Sequence, residues 1–176
     1  MSGVARFVFY SGSSAAAAPG EGKGERRGEG DFADLRAVAG WRAVLSNFHV
    51  GAPLEVDGRV YASAEHAFHA AKFKAAGRAE EAARFAADGD VGRAPGVCKL
   101  TTDERARWEA AREDAQRAIW RAKFVPDGTP RAALIATRDA ELWHYAGRGR
   151  RERWHGLEEL REMIKPDAED APPERR

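Results

Sequence analysis

The residues most able to do chemistry lie in one short run, Ser63-Ala64-Glu65-His66-Ala67-Phe68-His69-Ala70-Ala71-Lys72-Phe73. At ~100° per residue, Glu65, His69 and Lys72 stand at i, i+4 and i+7 and share one stripe of a helix. Ala64, Phe68, Ala71 and Ala75 lie beside that stripe as its packing surface. A carboxylate and an ammonium on the border of a core are costly to desolvate unless they are paired or used. Two turns of helix separate Glu65 from Lys72 by roughly 10 Å along the axis, so the two either lean together or flank a ligand. The plain alternative is a surface ion pair bordering the core. His66 and His69 crowd the same turn and have the spacing of a zinc pair, but no third ligand stands near them in sequence. No metal and no cofactor is therefore expected. A histidine here packs and hydrogen-bonds, or gives a proton at a pKa near neutrality.

Elsewhere the signals are weaker. Arg148, Arg150, Arg151 and Arg153, with Gly147 before them and Gly149 among them, suit phosphate oxygens, although composition alone favours a solvated basic loop. Asn47 can read a sugar hydroxyl, and the Trp143 indole can stack on a base or ribose. Trp108 sits at a helical core position and reads as packing.

The elements that must position these groups fit one domain of 176 residues. Lys and Arg number 29 against 28 Asp and Glu, so no global field draws the chain to nucleic acid or membrane. Cys98 is the only cysteine, which excludes an internal disulfide and suits a reducing, cytoplasmic compartment. No apolar run has membrane-spanning length, and Met1 to Tyr10 lacks a signal-peptide core.

Phe7 to Tyr10 reads as a strand. Ser13 to Gly30 is Ala-, Gly-, Glu- and Arg-rich and reads as a flexible insertion that adds nothing to the core. Leu54 to Tyr61 alternates around Asp57-Gly58, a hairpin signal, and Ser63 stands where a helix N-cap belongs. Glu80 to Ala87 is a second helical segment. Thr101 with Glu104 forms a capping box for the longest helix, whose apolar face is Trp108, Ala111, Ala115, Ile119 and Ala122. Thr129-Pro130 is read as N-cap and N1 of another helix. Glu141 to Ala146 is left open between a strand and a helical turn. Leu157, Leu160, Met163 and Ile164 make the buried face of a last helix, stopped at Pro166, and residues 167–176 read as a disordered tail.

In these residues the chain resembles the NADAR, or YbiA-like, family. The resemblance rests on Phe7–Tyr10, Val44-Leu45-Ser46-Asn47-Phe48, Val56-Asp57-Gly58, Ser63 to Phe73, Gly92-Arg93, Trp108-Glu109, Arg121-Ala122-Lys123-Phe124, Leu134 to Thr137 and Leu157 to Arg161. Its most specific part is Glu-His-x-Phe-x-Ala-x-Lys-Phe. One departure stands out: many members carry Trp-Gly-x-Gly near the C-terminal end, where this chain has Trp143-His144-Tyr145-Ala146-Gly147-Arg148-Gly149.

The resemblance implies a compact, mostly helical α+β single domain over residues 1–166 with a small β-sheet. It implies hydrolysis of an N-ribosidic bond in one of two substrate classes. These are phosphorylated ribosylamino-pyrimidine intermediates of riboflavin synthesis, and ADP-ribose on guanine, which includes guanine within nucleic acid. The family glutamate and lysine fall on Glu65 and Lys72, and its loop amide falls on Asn47. Substrate contacts are further expected from Phe48, His66, His69 and Arg93. Trp143, His144 and Arg148 complete the set. In this expectation Glu65 stabilises an oxocarbenium-like centre and activates water. Lys72 or a histidine assists the leaving group, or Lys72 forms an imine with a ring-opened ribosylamine. The rival reading is a module that binds ADP-ribose or a nucleotide without cleaving it, and a purely structural protein comes third.

Overall fold

The computed structural model describes residues 3–9, 17–51, 53–90, 99–145 and 150–166. Seven helices and five short strands appear among them: β1 (Arg6–Phe9), α1 (Ala33–Ala37), α2 (Trp41–Leu45), β2 (Leu54–Val56), β3 (Arg59–Tyr61), α3 (Ala64–Ala75), α4 (Ala79–Ala83), α5 (Thr102–Phe124), α6 (Thr129–Ala136), β4 (Glu141–Tyr145), β5 (Arg151–Arg153) and α7 (His155–Ile164). This is the mixed, mostly helical α+β architecture with small sheets that the sequence leads one to expect. No helix among the described residues is long and apolar enough to cross a membrane.

Local chemistry explains most boundaries. Asp57 and Gly58 both adopt positive φ (52° and 70°), as a two-residue hairpin turn requires, and Val56 pairs with Arg59 across it. The Ser63 side chain accepts the His66 N–H and caps α3. Thr101 and Glu104 form a reciprocal capping box at the start of α5. Glu141 to Tyr145 is resolved as a strand because it enters a sheet: β4 lies centrally, parallel to β1 and antiparallel to β5. At α6 the expectation shifts by one residue, since Gly128 occupies the N-cap and Thr129 is already helical.

The interior is divided. One apolar cluster gathers Phe7, Phe9, Leu35, Trp41, Leu45, Leu134, Leu142 and Leu157 with Trp120 and Phe124 of α5. A second gathers Leu54, Tyr61, Ala67, Phe73 and Phe85 with Ile119 of α5. Consecutive residues of one helix thus serve opposite cores, because ~100° of rotation turns Ile119 and Trp120 toward different neighbours. α5 is the shared wall, and any cleft between the clusters opens along it.

The segment read as adding nothing to the core departs from that reading over residues 17–30. The carboxylate of Glu25 is fully buried against the Arg42 guanidinium, at 2.6 Å, and also accepts the backbone N–H groups of Val8, Gly20 and Gly22. Arg42 in turn donates to the carbonyls of Ala17 and Ala18. One charged pair does what an apolar residue would do elsewhere, and composition hides it. Removing one partner of such a pair strands the other charge, so Glu25→Gln is expected to lower unfolding free energy by about 3–5 kcal/mol in urea titration, the usual cost of breaking a buried pair.

Candidate active site

A cleft of about 950 Å³ opens between the two apolar clusters, with α5 as one wall. Arg112, Gln116 and Trp120 project into it at i, i+4 and i+8. Glu65 and Phe68 line it from α3, His144 from the central strand, and Trp154 and Gly156 from the start of α7. Asn47 and Phe48 come from the loop after α2. The volume falls within the range of small-molecule sites.

Aromatic packing builds the floor. Trp154 stacks on His144 with ring centres 4.3 Å apart and planes 17° apart, and meets Trp120 at 4.9 Å. Phe9 closes the stack edge-on at 5.3 Å from Trp154. Gly156 makes room for this, because a Cβ there would come 3.0 Å from Trp120 Cζ3.

Two backbone contacts fix the loop carrying Asn47. The Lys123 ammonium, buried on α5, donates to the Ser46 carbonyl at 2.6 Å. The Asn47 carbonyl accepts the Glu65 N–H at 2.8 Å, which ties the loop to the first turn of α3. Burial holds the Lys123 pKa down to about 7. Glu65 Oε1 lies 3.3 Å from His69 Nε2 one turn along, and the His69 ring stacks on Phe85. His66 is committed to its own helix start, with Nδ1 2.8 Å from Ser63 Oγ.

Polar satisfaction fails in this one region. Among the described residues, the buried side-chain polar atoms with no hydrogen-bond partner are Asn47 Oδ1, Gln116 Nε2, Trp120 Nε1 and His144 Nε2, and all four residues line the cleft. Buried polar groups are ordinarily paired, so the gathering of these four atoms in one cleft sets it apart from the rest of the described structure. The rim is of mixed charge. Arg117 is neutralised by Glu113 and Glu159, each at 2.9 Å, and Arg153 by Glu141 and Glu158. Arg112 has only a 3.9 Å approach to Glu109 and is half exposed, so its guanidinium is well placed to meet an anion.

Of the residues singled out from the sequence, Glu65, Asn47, Phe48 and His144 meet in the cleft. His69 reaches it through Glu65. Lys72 is half-buried on α3 and forms no part of the cleft wall. Trp143 faces away: it alternates with His144 along β4, lies under the Arg6 guanidinium at 4.6 Å, and donates its indole N–H to Glu141. Arg93 and Arg148 fall outside the described residues. No group of three or more His, Cys, Asp or Glu positioned for a metal occurs among the described residues.

The sequence reading missed Gln116, Trp120 and Trp154. The first two were legible as a stripe at i and i+4, adjacent to the apolar face of α5. Trp154 carries no local signal, since it is placed by tertiary packing at the N-cap of α7.

No family model matches the chain. N-glycosidase YbiA of Escherichia coli (strain K12) is 28% identical over 150 residues, which are 76% of this chain and 82% of that protein. N-glycosidase YbiA of Shigella flexneri serotype 5b is 30% identical over 134 residues, 68% of this chain and 80% of the relative. The NMR structure of E. coli YbiA aligns with a TM-score of 0.44 at 25% identity, over 90% of this chain and 81% of that one. The chain belongs to the YbiA-like family, whose curated relatives are named N-glycosidases.

His144 gives the site a pH signature. Burial lowers its pKa to about 4, against a smaller opposing pull from the Glu65 carboxylate. Between pH 4 and the ordinary value near 6.5, the unfolded chain binds a proton that the folded chain refuses. That contribution to stability is complete above pH 6.5 and is lost as pH falls toward 4. His144→Phe is expected to flatten the decline of melting temperature between pH 6.5 and 4 relative to the native chain, as followed by circular dichroism.

Proposed function

We propose that the cleft binds a phosphorylated N-riboside and hydrolyses its N-glycosidic bond. The observation that carries this reading is the meeting of the Glu65 carboxylate of α3 with every unpartnered buried side-chain polar atom of the described residues in a single aromatic-walled cleft. Cleavage of a ribosyl C–N bond builds positive charge on the sugar and negative charge on the departing nitrogen, and a site must answer both. Glu65 stabilises the oxocarbenium-like centre and takes a proton from the attacking water, whose oxygen bonds to the anomeric carbon as the bond to nitrogen breaks. His69, at 3.3 Å, orients the carboxylate.

His144 is neutral at pH 7 and offers a hydrogen bond rather than a charge. The departing nitrogen keeps the electron pair of the broken bond and takes a proton from water; Lys72, outside the cleft wall and two turns along α3 from Glu65, acts on it only as a distant positive charge. Arg112 receives a phosphate at the rim. The substrates that fit are the phosphorylated ribosylamino-pyrimidines and ADP-ribosylated guanine, because both join a planar base to a phosphorylated ribosyl group. The names of the relatives favour hydrolysis over binding alone.

Incubation with both substrate classes, with the products separated by chromatography, is expected to release free base from one of them. Glu65→Gln is expected to lower that rate by about 100-fold or more, the usual span for a lost general base. Full activity of Glu65→Gln would sink the carboxylate role. Heat of binding without release of base would establish the non-catalytic reading instead. Borohydride trapping of a substrate adduct that disappears in Lys72→Ala would transfer the chemistry from electrostatic support to an imine.

A further inference from the structure

We propose that Asn47 and Gln116 form a reader for the hydrogen-bonding edge of a nucleobase; this rests on the N-riboside reading of the cleft and specifies the part of the ligand that meets α5. The two side chains approach across the cleft wall, with Asn47 Nδ2 donating to Gln116 Oε1 at 3.5 Å. That long contact uses one donor and one acceptor. Asn47 Oδ1 and Gln116 Nε2 remain, both buried and both without a partner. The pair therefore keeps one acceptor and one donor uncommitted. Exchanging O and N in both amides leaves the same complement, so the conclusion does not depend on which way either amide is turned.

In this arrangement Asn47 Oδ1 and Gln116 Nε2 are both shielded from solvent, although Gln116 as a residue is only partly buried. Asn47 is 5% exposed, its carbonyl is taken by the Glu65 N–H, and the Ser46 carbonyl before it is taken by Lys123. Gln116 sits in the body of α5, one turn before the buried Trp120. A ligand entering the cleft can supply the missing partners. Each nucleobase carries an adjacent donor and acceptor along its Watson–Crick edge, and an amide pair of this kind matches that edge.

The surroundings favour a base over a ribose diol. Phe48, next to Asn47, lines the cleft with 46% of its surface exposed, and the half-buried Phe68 lines it from α3. A planar ring can lie against such faces while its edge meets the amides. A diol gains little from either ring.

The test uses binding, so it stands apart from turnover. Titration calorimetry compares GMP with N1-methyl-GMP, UMP with N3-methyl-UMP, and ribose 5-phosphate as a probe without a base. The native chain is expected to bind at least one unmethylated nucleotide about 10-fold or more tighter than its methylated partner, because a methyl group on the edge leaves the buried amides unpaired. Gln116→Leu, checked for folding by circular dichroism, is expected to reduce that preference to about 3-fold or less and to leave ribose 5-phosphate affinity unchanged. Equal binding of methylated and unmethylated nucleotides by the native chain overturns the proposal even if the variant fails to fold. Absence of binding by every nucleotide does the same. Methyl discrimination in a chain that releases no base from any N-riboside would leave the reader standing and remove the hydrolytic reading.

Discussion

The ammonium of Lys123 is buried where the two apolar clusters meet, and its bond to the Ser46 carbonyl determines how α2 ends against α5. A buried charge of this kind costs stability, and its depressed pKa is the record of that cost. What the fold gains is position. The loop after Ser46 is held at a fixed height on α5, and the Asn47 carbonyl is free to accept the N–H of Glu65, the second residue of α3. Glu65 thereby becomes part of the same wall as Asn47. The carboxylate and the loop amide are set by one short chain of hydrogen bonds rather than by two independent elements.

The split core follows from the same helix. Ile119 serves the hairpin and α3, while Trp120 and Phe124 serve the sheet, α6 and α7. Two clusters that share one helix cannot close on each other everywhere, and the cleft is the seam left between them. Its aromatic floor belongs to the sheet side and its carboxylate to the α3 side, so any ligand filling it bridges the two. The stack of Trp154, His144 and Trp120 is dry enough to keep the imidazole neutral, which makes the floor a source of hydrogen bonds with no charge of its own.

Much of the scaffold was legible because it is local. The Asp57-Gly58 turn, the Ser63 cap, the Thr101–Glu104 box and the helical stripe carrying Glu65 each depend on residues within a few positions of one another. The site was less legible because its parts meet over long sequence distances. Trp143 and His144 illustrate the limit. Both are aromatic and adjacent, but a strand turns neighbours to opposite faces, and only the pairing of β4 between β1 and β5 decides which of them faces the cleft. Glu25 shows another limit: in a run of Gly, Glu, Lys and Arg, no periodicity separates the one carboxylate that meets Arg42 from its solvated neighbours.

The concentration of unpaired polar atoms is the feature that no local rule could have announced. An Asn in a loop and a Gln in the polar flank of a helix are ordinary surface residues until packing buries them together. Once buried, they change meaning, because each lacks a partner that water would otherwise supply. A fold that tolerates four such atoms in one cleft, while pairing Glu25 and Arg42 with several partners elsewhere, is not loosely packed. Among the described residues it leaves the hydrogen-bonding capacity of buried side chains open only at the seam that α5 creates, and a ligand of the proposed kind would meet there the exposed ring of Phe48, a donor and an acceptor from the amides, and the carboxylate of Glu65.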